Sequence, residues 1–70
     1  MTRNDFIRCF GIDPLTLTWK TGHNGLFRYA SEDFGPYAVY HDSAWGYYVA
    51  RNNSVVNVRI NLTDHLRREA

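Results

Sequence analysis

A single cysteine, Cys9, stands among the 70 residues, so no internal disulfide framework holds this chain together. Proline is scarce, with 2 residues, and no Pro-, Gly- or Ser-rich stretch marks a linker between domains. No apolar run approaches the roughly 20 residues of a membrane span. Residues 1–10 carry Arg3, Asp5 and Arg8 within their apolar stretch, which excludes a signal-peptide core and leads to the expectation of a cytoplasmic protein. The sequons Asn52-Asn53-Ser54 and Asn61-Leu62-Thr63 then read as chance. Neither sign of charge dominates: Lys plus Arg is 8 and Asp plus Glu is 7, a net +1 with neutral His. That balance excludes an acidic DNA mimic and a strongly basic duplex-coating protein.

Motifs of catalysis are missing as well. No Gly-rich phosphate loop follows a strand, and no nucleophile elbow appears. Asp13, Glu32, Asp33 and Asp42 are scattered through loops rather than paired. Cys9 falls on the apolar side of a helix, where a free thiol serves as a small hydrophobe. The chain reads as non-enzymatic and free of cofactors. Its 3 histidines raise the question of a metal. An up-and-down meander would bring His23, His41 and His65 to one end of the sheet, beside Asp42 and Asp64, and three His with a carboxylate make an acceptable zinc shell. Each His sits on a different turn, however, and no short spacing such as His-x-x-x-His occurs, so no metal site is expected.

What is present is apolar and aromatic. Hydrophobic residues make up 44% of the chain, which is globular rather than disordered. Aromatics reach 16%, with Tyr 5, Phe 4 and Trp 2. Large rings are one means by which so short a chain can fill a core, and self-association is another.

The pattern predicts a first helix capped by Thr2 or Asn4, with Phe6, Cys9 and Phe10 on one face and Gly11 ending it. Residues 15–20 alternate without exception and read as a strand with Leu15, Leu17 and Trp19 inward. Gly22-His23-Asn24-Gly25 reads as a hairpin loop, followed by a second strand over residues 26–31. Phe27 and Tyr29 inward would leave Arg28 outward. Residues 37–41 and 45–51 form a third and a fourth strand, and Asn52-Asn53 a tight turn. Residues 54–62 read as the clearest strand, with Val56, Val58, Ile60 and Leu62 facing one way. Thr63 caps a last short helix ending near Arg67 and Arg68.

The whole of residues 1–70 is thus one small α+β domain: a short N-terminal helix, a five-stranded antiparallel meander and a short C-terminal helix. Two short helices cannot cover both faces of such a sheet. It either curls toward a small barrel or leaves one face open.

The outward positions are Thr16, Thr18, Lys20, Arg28, Tyr40, Tyr48, Asn57 and Arg59. Tyr40 and Tyr48 fall on adjacent strands, and Lys20, Arg28, Arg51 and Arg59 supply positive charge around them. Such a face is either a solvated surface whose tyrosines shield the backbone or a recognition face. A protein partner needs no long-range attraction to phosphate, so protein binding leads. A small module without catalytic groups then acts sterically, as an inhibitor of a larger protein or nucleoprotein complex. Phage and mobile-element inhibitors, anti-CRISPR proteins included, offer an analogy that rests on size and missing motifs alone. The alternatives are single-stranded nucleic-acid binding by the aromatic and basic face, and a structural subunit that homodimerises through it. For sheet-based RNA readers the string Trp45-Gly46-Tyr47-Tyr48-Val49 is only a weak match.

Overall fold

A computed structural model describes residues 1–22 and 25–67. His23, Asn24 and Arg68, which the sequence places in a hairpin loop and in the last helix, lie outside the described residues. The order of elements is helix α1 (Arg3–Phe10), a 3₁₀ turn (Pro14–Thr16), strands β1 (Trp19–Thr21), β2 (Arg28–Ala30), β3 (Tyr37–Asp42), β4 (Gly46–Arg51) and β5 (Ser54–Val55), and a second 3₁₀ turn (Leu62–His65). The five strands form one antiparallel meander in the order β1-β2-β3-β4-β5, and the sheet is open rather than closed into a barrel. No helix among the described residues is long and apolar enough to cross a membrane.

Helix α1 begins and ends as its sequence dictates. The Thr2 hydroxyl accepts the Asp5 N–H at 3.2 Å, satisfying one of the orphan donors of the first turn. Gly11 takes φ 70°, and its N–H donates to the Ile7 carbonyl. Phe6 and Phe10, one turn apart, have ring centroids 4.9 Å from each other. Both are buried, together with Phe34, Val39, Val49, Leu62 and Pro14. The partly buried side chains around that cluster include Cys9, Leu17, Trp19, Ala30, Tyr37 and Tyr47. Strand residues of this set share one face of the sheet, because antiparallel partners such as Val39 and Val49, or Trp19 and Ala30, point the same way.

Two hairpins form with the turn chemistry written in the sequence. Asn52 and Asn53 both take positive φ, 51° and 66°, as a two-residue turn with matching twist requires. The three residues between Asp42 and Gly46 make the other, with Gly46 at φ 74°. Glycine is needed at that position twice over, since a Cβ there would stand 2.5 Å from the Met1 carbonyl oxygen.

Three expected elements differ. Residues 15–20 are not one strand. Asp13 accepts the Leu15 N–H and Pro14 occupies the first helical position, so the chain makes a 3₁₀ turn before β1 and leaves Leu15 62% exposed. Residues 54–62 leave the sheet after β5. Val56 N–H still donates to the Val49 carbonyl, but Ile60 N–H donates at 3.1 Å to the carbonyl of Cys9, one of the helix-end acceptors that α1 cannot satisfy itself. Leu62 is therefore buried, Val56 and Ile60 are half-buried, and Val58 is 66% exposed rather than part of the core. The last helix is one 3₁₀ turn capped by Asn61, whose side chain accepts the Thr63 N–H; Thr63 lies inside the turn instead of capping it.

Candidate recognition face

The sheet's second face carries none of the core cluster. Its centre is a straight row across four strands: Lys20 pairs with Tyr29, Tyr29 with Tyr40, and Tyr40 with Tyr48. Alternation along each strand sends all four side chains away from Val39 and Val49. Tyr40 and Tyr48 stack with centroids 5.4 Å apart and planes 25° apart. Phe27 lies 5.8 Å from Tyr40 and 6.5 Å from Tyr29, and Trp45 lies 6.2 Å from Tyr48. Five rings, Tyr29, Phe27, Tyr40, Tyr48 and Trp45, thus make one continuous chain. The Tyr48 hydroxyl has its pKa raised above the ordinary value, first by burial, then by the Asp42 charge and by Tyr40.

Of the residues the sequence assigns to this face, Tyr40, Tyr48 and Lys20 are brought together. The others are placed elsewhere. Arg28 pairs with His41, on the side of Trp19 and Val39, and Tyr29 takes the outward position expected for Arg28. Arg51 pairs with Tyr37 and lies 5.7 Å from that ring's centroid, a cation–π contact on the core side of the sheet. Arg59 is exposed in the segment beyond β5, outside the sheet. Thr16 and Thr18 precede β1, and Asn57 follows β5.

Phe27, Tyr29 and Trp45 are the members the sequence reading missed. The signal for Tyr29 was cross-strand continuity. Once Tyr40 is outward, an aromatic directly opposite it on β2 completes the row, whereas Arg28 there would interrupt it.

His41 and His65 do not converge. The His65 ring packs on Tyr37 with centroids 4.8 Å apart, while His41 lies four residues further along β3, roughly 13 Å at strand rise, against Tyr47 and Trp19. His65 is therefore delivered to the other end of the sheet from His41. Among the described residues no group of three or more His, Cys, Asp or Glu side chains is arranged to hold a metal ion. No family model, curated protein or solved structure matches this chain.

Proposed function

We propose that the chain is a non-enzymatic protein-binding module. It docks on a larger protein, or on the protein part of a nucleoprotein complex, through the aromatic outer face of its sheet, and acts by covering the surface it meets. The observation that carries this reading is the unbroken chain of five rings on a face to which the core cluster contributes nothing. Tyr and Trp concentrate binding energy because they offer large rigid area with a polar handle, and contiguous exposed aromatic surface on a small domain marks an interaction site.

The nucleic-acid alternative loses two of its supports. Arg28, Arg51 and Arg59 lie off the face, leaving Lys20 as the one basic side chain of the row. Tyr40 and Tyr48 also stack on each other, which occupies ring faces that a base would need.

The test is capture of a partner on the immobilised wild-type chain, then titration of that partner with Tyr40→Ala and Tyr48→Ala, alongside a melt of each variant. Hot-spot rings at the centre of an interface cost about 2 kcal/mol or more in affinity when truncated. Folding stability is expected to change less than affinity, because both rings are only half-buried. Intact affinity with collapsed stability in both variants would mean that the rings serve the fold alone.

A further inference from the structure

The aromatic face ends at the β3–β4 hairpin in an open pocket of about 230 Å³ lined by Asp42, Trp45, Tyr48 and Val55. Its lining is mostly apolar and includes the Asp42 carboxylate. The Trp45 and Tyr48 rings flank it, 6.2 Å apart and inclined at 55°, so they form two sides of a corner. Trp45 is 64% exposed and Val55 43%. The backbone beneath Trp45 is nonetheless held firmly. Its N–H donates to Asp42 Oδ1 at 2.6 Å, its carbonyl accepts from the Met1 amino group at 2.6 Å, and Tyr47 N–H donates to the Met1 carbonyl. A large exposed ring on a fixed backbone loses little freedom when it is covered.

Asp42 Oδ1 is engaged by the N–H groups of Ala44 and Trp45, whereas Oδ2 has no hydrogen-bond partner among the described residues. Its charge reaches the Tyr48 phenol, where it is one cause of the raised pKa. Among the described residues no Lys or Arg lines the pocket. Two electron-rich ring faces beside a carboxylate attract a cation, and repel the phosphates and carboxylates that a basic face would draw. The fold uses one half of this chemistry already, where Arg51 lies over Tyr37.

We infer that the corner between Trp45 and Tyr48, closed by Asp42, is a cation slot that takes a guanidinium or ammonium side chain projecting from the partner protein. The inference rests on the reading of the outer face as a docking surface, and it gives that partner a chemistry: a basic side chain set within an apolar patch.

The slot is tested without the partner. The probes are N-acetyl-arginine methylamide and N-acetyl-lysine methylamide, with N-acetyl-glutamate methylamide as the control, titrated into the full chain while the Trp45 indole N–H resonance is followed. Saturable shifts with one or both cationic probes and none with the anionic one are expected; the tighter of the two tells guanidinium from ammonium. Asp42→Asn isolates the charge, because an asparagine Oδ1 still accepts the Ala44 and Trp45 N–H groups and keeps the turn. Affinity for the cationic probe should fall by about fivefold or more in that variant, with an unchanged melting temperature. Trp45→Ala should abolish the response at the Tyr48 amide. No saturable shift, an equal response to the glutamate probe, or wild-type affinity in Asp42→Asn would each overturn the slot. If the probes fail while partner binding still depends on Tyr40, only the slot is lost. If the probes bind while partner binding ignores Tyr40, it is the docking face that falls.

Discussion

Asp13 joins two parts of the fold with one carboxylate. Oδ1 accepts the Leu15 N–H and the Arg3 Nε–H at 3.0 Å each, and Oδ2 accepts Arg3 Nη2 at 2.6 Å. The bidentate hydrogen bonding from Arg3, seconded by the Leu15 N–H, lowers the Asp13 pKa from 3.8 to about 2. A carboxylate held more acidic in the folded chain than in the unfolded one stabilises the fold above its unfolded value, and that contribution disappears as the pH falls through the folded one. Asp13→Asn keeps an acceptor for Leu15 and removes the charge. Melts of both proteins across acid pH should show the wild type ahead from about pH 4 upward, with the gap closing toward about pH 2. A gap that persists unchanged at the acid end would assign the effect to packing instead. The pair is exposed at the surface, so the gap should be small and should shrink with salt. Residue-scale legibility was uneven in the same way. Tyr40 and Tyr48 were readable as neighbours because the strands that carry them are only a few residues apart in the chain. Arg28 and Tyr29 were not, because β2 is only three residues long and both residues tolerate either face of it.

Among the elements, α1 and the hairpins β3–β4 and β4–β5 follow from local sequence, since caps and positive-φ turn residues act within a few positions. Residues 54–62 do not, although their alternation is the cleanest in the chain. Period-two patterning says which side chains want burial; it does not say what they are buried against. Here the unsatisfied Cys9 carbonyl at the end of α1 takes the Ile60 N–H, and Leu62 reaches the core from a 3₁₀ turn rather than from a strand. Val58 lies at the turning point, outside the hydrophobic cluster. Val58→Asp should therefore melt within about 0.5 kcal/mol of wild type, as ordinary surface substitutions do. Leu62→Asp, which strands a carboxylate among Phe and Val side chains, should abolish cooperative melting. If Val58→Asp unfolded the domain instead, residues 54–62 would have to be a full strand buried on one side. The 3₁₀ turn at Pro14 teaches the same lesson from the other direction: a perfect alternation lost to Asp13-Pro14, a local start signal that sits just ahead of it.

At the scale of the whole molecule, the net charge of +1 conceals a division between the two faces of the sheet. Arg28 and Arg51 lie on the core side, at its margins, and Arg59 lies beyond the sheet. Among the described residues the outer face keeps Lys20 at its β1 edge and Asp42 near Trp45, one charge of each sign. Recognition through such a face draws on ring area and local charge complementarity, with little long-range field. A protein making 6–10 phosphate contacts loses roughly 10³–10⁵ in affinity between 50 and 200 mM salt. The tyrosine face should lose less than about threefold over that range, because one exposed ion pair at either edge is all that salt can screen. Charge reversals separate the contributions further. Lys20→Glu, within the row, should weaken partner binding and flatten or invert its salt dependence. Arg59→Glu, outside the row, should leave both affinity and slope near wild type. Isothermal titration of the two variants at both ionic strengths reads all four values. A steep wild-type slope that Arg59→Glu reduces would move the interface off the tyrosine row, onto the segment that follows β5, and would bring a polyanionic partner back as the better reading.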